Sequence, residues 1–289
     1  MADPLIAVTG ATGYVGGRVA SLLAARGAFL RLVVRDPARA PRLDRAEVRR
    51  ASSYGAADEM RAALEGAHTL FLVPAEESTD RVEQHKTAVD AAVAAGVERI
   101  VYLSFIGASA EATFLLVRDH WATEEHVRAS GARWTFVRMS LYLDFVPSMV
   151  SPDGVIAGPA DDGRFGGVTR ADVADVVAAV LVGGGHDGAI YDVTGGEALT
   201  FAGAAAELSR LSGRGIAFHD ETLEEARASR AGYGAPDWQV DAWISTYTAV
   251  AAGELDVVTD TVERLAGHAP TTLGDYVRGH PESLDHVRG

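Results

Sequence analysis

The chain has 289 residues, a formal net charge of -14, 48% hydrophobic and 23% charged residues, and no cysteine. That length and apolar fraction suffice for one large α/β domain, or a domain with an attached lobe, and argue against disorder. The acidic balance argues against nucleic acid or an anionic membrane as partner, and the missing cysteine excludes disulfides, thiolate zinc sites and a cysteine nucleophile.

Apolar runs and helical patterns alternate through the first 140 residues or so. Strands are expected at Leu5 to Thr9, Phe29 to Val34, Glu47 to Arg50 (a weak one), Thr69 to Val73, Arg99 to Ser104 and Trp134 to Arg138. Helices are expected at Tyr14 to Arg26, Asp58 to Glu65, Arg81 to Ala95 with Gly96 as C-cap, and Ala112 to Ser130. Such alternation indicates a Rossmann-type, doubly wound parallel sheet covered on both faces. Beyond Arg138 the pattern loosens: short strands at Val155-Ile156, Ala189 to Val193 and Gly215 to Phe218, with helices at Ala171 to Val182, Phe201 to Leu211, Leu223 to Ala231 and Asp237 to Ala252. The expected division is a dinucleotide-binding domain over 1–150 and a smaller α+β substrate lobe, built on it, over 151–289.

The first strand runs into Thr9-Gly10-Ala11-Thr12-Gly13-Tyr14-Val15-Gly16, and a helix follows. Gly10 suits the tight turn, Gly13 lets the backbone approach a pyrophosphate, and Gly16 lets the helix pack closely on the strand. The helix N-terminus offers N–H groups and a positive dipole end to the phosphates. At the end of the second strand stands Arg35, followed by Asp36 and Pro37. A guanidinium here suits the 2′-phosphate of NADPH, while Asp36 suits the N-cap of a turn beginning at Pro37.

Lys86 is the only lysine, and Val82 stands four residues before it. The Tyr-x-x-x-Lys pair usual in short-chain dehydrogenases/reductases is therefore absent. The chain nevertheless resembles an atypical branch of that superfamily. Thr9-Gly10-Ala11-Thr12-Gly13, Val34-Arg35-Asp36-Pro37, His120-Trp121-Ala122-Thr123-Glu124, Phe136-Val137-Arg138, Leu141-Tyr142, Asp144-Phe145, Val168-Thr169-Arg170 and Pro270-Thr271-Thr272-Leu273 recur in order. Together they look like the NmrA-like group, especially its NADPH-dependent quinone reductases and triphenylmethane dye reductases. The resemblance implies that Gly10, Ala11, Thr12, Gly13, Tyr14, Val15 and Gly16 hold the pyrophosphate and Arg35 the 2′-phosphate. It places Val73, Pro74 and Ala75 beside the adenosine, and Met139, Ser140, Leu141 and Tyr142 beside the nicotinamide and substrate. Two departures stand out: Met139 replaces the usual Asn, and Ser53 replaces an Asp before Tyr54.

His120, four residues before Glu124, is a candidate proton donor, since a histidine pKa near 6.5 suits that task. A helix-surface pair is the alternative. Ser104, ending the fifth strand, is expected either to touch the ligand or to cap the next segment. Phe105, Trp121, Tyr142, Phe145 and Met149 are candidates for a flat apolar pocket, with ordinary core packing as the alternative. Thr169 to Asp172 reads as a capping box. The histidines show no metal-ligand spacing, so no metal is expected.

The expected function is an NADPH-dependent reductase acting on a flat, electron-poor quinone or aryl compound. Two alternatives stay open: an NADP(H)-sensing regulator without catalysis, and a reductase of a biosynthetic ketone or imine with His120 as donor. With no apolar run long enough for a bilayer and no leader pattern at Met1 to Pro4, a cytoplasmic protein, as a homo-oligomer or not, is expected.

Overall fold

The computed structural model describes residues 4–287, leaving Met1 to Asp3 of the expected leaderless start outside the described residues. In chain order the regular elements begin β1 (Ile6–Thr9), α1 (Tyr14–Ala25), β2 (Leu30–Val34), β3 (Ala46–Arg50), α2 (Ala57–Leu64), β4 (Thr69–Leu72) and α3 (Arg81–Ala94). They continue with β5 (Arg99–Phe105), α4 (Leu115–Ala129), β6 (Arg133–Met139), β7 (Val155–Gly158), β8 (Arg164–Phe165), α5 (Arg170–Val182) and β9 (Ala189–Val193). The remainder is β10 (Leu199–Thr200), α6 (Phe201–Ser212), β11 (Ala217–Asp220), α7 (Leu223–Arg230), α8 (Asp237–Ala251), α9 (Thr261–Ala266) and α10 (Leu273–Gly279). Among the described residues, no helix is long and apolar enough to cross a membrane.

Two compact units divide these elements. The first comprises the chain through Ala110, then Asp119–Met139 and Val173–Asp192. Its seven-stranded sheet has the order β3-β2-β1-β4-β5-β6-β9, with β1 to β6 paired in parallel. Every residue of β1, β2, β4 and β5 is buried, including the polar Arg31, Thr69, Arg99 and Ser104, as mostly apolar strands covered on both faces require. The strand order reverses between β1 and β4, and ligands of such sheets bind beyond the carboxyl ends of strands at that point.

The second unit holds Glu111–Arg118, Ser140–Asp172 and the chain from Val193 onward. It contains two small ladders, β8 with β10 antiparallel and β7 with β11 parallel. Phe201 anchors its core, with ring centroids 4.9 Å from Phe165, 5.7 Å from Phe218 and 5.1 Å from Tyr247.

The units interleave rather than meet at residue 150. The chain leaves the first unit at Ser140 and returns for Val173–Asp192. The reason lies in composition: Val173, Ala174, Val176, Val177, Ala178 and Val180 are all fully buried, so this helix is core on most of its circumference. β9 then follows as the seventh strand of the large sheet rather than as part of a separate lobe.

Candidate functional site

β1 ends at Thr9, which is fully buried. Its hydroxyl donates to the Phe71 carbonyl at 3.1 Å and accepts the Val73 N–H at 2.9 Å, tying β1 to β4 where the strand order reverses. Gly10 follows in the left-handed region at φ +62°, and a Cβ there would lie 2.9 Å from the Val73 Cβ. The Gly13 N–H closes the turn on the Gly10 carbonyl at 2.9 Å. At Gly16 a Cβ would come within 2.4 Å of the Gly10 carbonyl oxygen and 2.9 Å of that of Thr9. Gly16 thus has no side chain because helix and strand touch.

Gly13 is different. The protein atom nearest to a Cβ there is 3.4 Å away, and Thr12, Gly13 and Tyr14 face solvent. The chain's own packing leaves this position open, which suits backbone approach by a pyrophosphate. No side chain caps α1 at Gly13, so its N-terminal dipole is available to an anion. The cradle fits the diphosphate of a dinucleotide.

Asp36 caps the short turn Pro37–Arg39, its carboxylate accepting the Ala38 N–H at 3.0 Å. Arg35 is left projecting from the end of β2. In a two-pronged pair, its Nη2 lies 2.7 Å from Glu76 Oε1 and its Nη1 lies 3.3 Å from Oε2. Each partner stabilises the other's charge: the Arg35 pKa is raised and that of Glu76 lowered.

The segment from Val73 to Ala75 is held from outside the sheet. The Tyr54 hydroxyl donates to the Val73 carbonyl at 2.7 Å, and burial pushes that hydroxyl's pKa up to about 12. The Ala75 N–H donates to His85 Nε2 at 2.8 Å, while Arg81 Nε donates to the Ala75 carbonyl at 3.0 Å. His85 Nδ1 faces the Thr123 hydroxyl at 2.8 Å, and that hydroxyl donates onward to the Asp119 carbonyl. These partners assign Nδ1 as donor and Nε2 as acceptor, so the ring is neutral. Burial, and then the nearby Arg81 charge, push its pKa down to about 3.

Sequence reasoning missed Arg81 and His85, although a signal existed. Both share the buried face of α3 with Ala88, Val89 and Ala92. Polar residues on an apolar helical stripe must find partners inside.

The expected proton donor lies in the same interior. His120 is 4% exposed, with Nδ1 2.9 Å from the Tyr102 hydroxyl and Nε2 3.5 Å from Arg81 Nη2. Burial first, and then the charge of Arg81, hold its pKa well below the ordinary value. This corrects the expectation of an accessible acid titrating near 6.5: the ring is neutral and enclosed. The surface-pair alternative falls too, because Glu124 is fully buried. Glu124 accepts from Ser104 at 2.6 Å, from Arg138 at 2.8 and 2.7 Å, and from Arg128 at 3.0 Å. Ser104 stands opposite Arg138 in the β5–β6 register and is itself fully buried, so its hydroxyl serves this ionic cluster.

Among the remaining candidates of the first unit, Phe105 is buried with its ring 6.3 Å from His120, while Trp121 and Met139 are half-buried. In the second unit Ser140 is fully buried, and Leu141 and Met149 are half-buried. Tyr142 meets Phe145 edge to face at 5.7 Å, and the Arg170 guanidinium lies 4.9 Å over the Phe145 ring. Asp144 fixes that guanidinium, accepting from Arg170 N and Nε at 2.8 Å each. The expected capping box is half realised: Thr169 accepts the Asp172 N–H at 3.1 Å, but the Asp172 carboxylate takes Thr271 instead. Lys86 pairs with Glu83 on its own helix at 2.7 Å.

The strand order and the glycine cradle define a Rossmann-type dinucleotide-binding protein. The chain belongs to the NAD(P)H-binding family, which it matches over residues 10–182. It is 32% identical to quinone oxidoreductase 2 of Escherichia coli over 280 residues, 94% of this chain and 97% of that protein. A crystal structure of an Escherichia coli NADPH-dependent quinone oxidoreductase complexed with NADPH superposes with a TM-score of 0.87 at 32% identity, covering 95% of this chain and 99% of the other. The NADP(H) complex of Citrobacter sp. triphenylmethane reductase gives 0.86 at 30% identity, over 95% and 99% of the two chains.

Proposed function

We propose that the protein is an NADPH-dependent reductase of flat, apolar, electron-poor small molecules such as quinones or aryl compounds. The observation that carries this reading is the cradle, in which Gly13 stays open while Gly10 and Gly16 are closed in by the protein itself. Relatives that act on quinones and dyes support the acceptor class. When bound, the reduced nicotinamide supplies the hydride.

The chain's own residues bind and orient. Gly10 to Gly16 hold the diphosphate through backbone N–H groups and the α1 dipole. Arg35 recognises the 2′-phosphate, for which a guanidinium fork is well matched. Val73, Pro74 and Ala75 form the adenosine wall, kept in place by Tyr54, His85 and Arg81. Met139, Ser140, Leu141 and Tyr142, continuing from the end of β6, are assigned to the nicotinamide end. Phe105, Trp121, Tyr142, Phe145 and Met149 are the candidates for contact with an aromatic acceptor. His120 and Ser104 act as positioning groups, one neutral and one committed to Glu124. A quinone or cationic dye takes hydride readily without a strong protein acid, so holding donor and acceptor about 3–3.5 Å apart supplies much of the acceleration.

The test mixes protein and NADPH with a panel of quinones and triphenylmethane or azo dyes. Loss of the reduced nicotinamide absorbance with at least one acceptor is expected. Tight NADPH binding with no turnover on any member would contradict the reading.

A further inference from the structure

Arg35 already has a partner. Glu76 grips its guanidinium with both oxygens, at 2.7 and 3.3 Å, in the fork geometry that a phosphate would use. The two side chains are 66% and 79% exposed, so a ligand reaches them freely. Surface ion pairs often form by chance, but this one is placed from inside. Glu76 directly follows Ala75, whose N–H and carbonyl are both fixed by the buried His85 and Arg81. That fixed backbone holds Glu76 within reach of the guanidinium at the end of β2.

We propose that Glu76 is a specificity-determining residue, a carboxylate that occupies Arg35 until the 2′-phosphate displaces it and that thereby moderates the preference for NADPH over NADH. The inference rests on the assignment of Arg35 to that phosphate. A 2′-phosphate is nearly dianionic at neutral pH, so it competes for the guanidinium and is repelled by the displaced carboxylate. NADH carries a hydroxyl at the same position, which leaves the ion pair intact and can itself donate to a carboxylate. Arg35 and Glu76 therefore pull cofactor choice in opposite directions. A reductase built this way uses NADPH yet retains measurable NADH binding.

The experiment measures dissociation constants for NADPH and NADH by calorimetry for the wild-type chain, Glu76→Gln and Arg35→Leu, at low and high salt. Glutamine keeps the shape and removes the charge. Glu76→Gln should tighten NADPH binding about five-fold, leave NADH within about two-fold, and lose most of that gain at about 1 M salt, where screening is strong. An unchanged NADPH-to-NADH ratio would overturn the proposal. So would weaker NADPH binding, since Glu76 would then be ordering Arg35 for its ligand rather than competing with it. Failure of the underlying reading looks different: the wild-type chain would show no preference for NADPH, and Arg35→Leu would change nothing. A thermal midpoint within a degree or two of wild type confirms that the exposed substitutions leave the fold intact.

Discussion

From Gly10 to Gly16 the turn is built from backbone contacts, the helix end is uncapped, and Thr12 to Tyr14 face solvent. Around His85, His120 and Glu124 the polar atoms belong to side chains, nearly all with partners and nearly all buried. The first region leaves the N-terminal end of α1 without a side-chain cap and open to solvent. The second has committed nearly all of its hydrogen-bonding capacity to internal partners. Titratable side chains buried beside the large sheet find partners within the fold: here His85 and Arg81 hold the Ala75 backbone.

The two kinds of glycine break or sharpen this comparison most strongly. Gly16→Val forces a side chain against the Gly10 carbonyl, which a Cβ already meets at 2.4 Å. Unfolding free energy should fall by about 3 kcal/mol, read by denaturant titration, with dinucleotide binding lost. Gly13→Ala meets no protein atom closer than 3.4 Å. It should cost under about 1 kcal/mol of stability while weakening NADPH about ten-fold, because the methyl group stands where the ligand approaches.

Acid probes the buried region. The folded-state pKa of His85, about 3, lies below the ordinary histidine value near 6.5. The unfolded chain thus binds a proton that the native ring refuses. The stability contributed by His85 is complete above pH 6.5 and is lost progressively as pH falls toward 3. By pH 5 the loss is about 2 kcal/mol, visible as a lower denaturant midpoint; His85→Gln should flatten that part of the slope. His120 acts in the same direction. The smallest effect expected is on rate: turnover under saturating NADPH should show no ionisation near 6.5, because neither histidine titrates there in the folded protein. A bell or step at that pH, removed by His120→Asn, would restore His120 as an acid.

Much of the fold is legible in the sequence because its signals are local. The glycine spacing, the helical stripes and the mostly apolar strands each report a nearby constraint. Asp36 as a cap was legible from Asp-Pro alone. Long-range pairing was not. Ser104 and Glu124 meet only because β5 and α4 pack together, and Glu76 meets Arg35 only because β2 and β4 flank β1. The His120–Glu124 spacing suggested a surface pair, yet both face inward with Val117, Thr123 and Val127. The two-residue ladder of β8 and β10 is too short to leave a periodic pattern. The return of α5 and β9 to the first unit follows from burial, whereas the sequence pattern places both in the lobe expected over 151–289.

One titration goes to the centre of the account. Calorimetry of the wild-type chain and Arg35→Leu with NADPH and NADH should show NADPH bound about ten-fold tighter or more by the wild type, and the preference gone in the variant. Equal affinities in both proteins, or no heat with either dinucleotide, would contradict it.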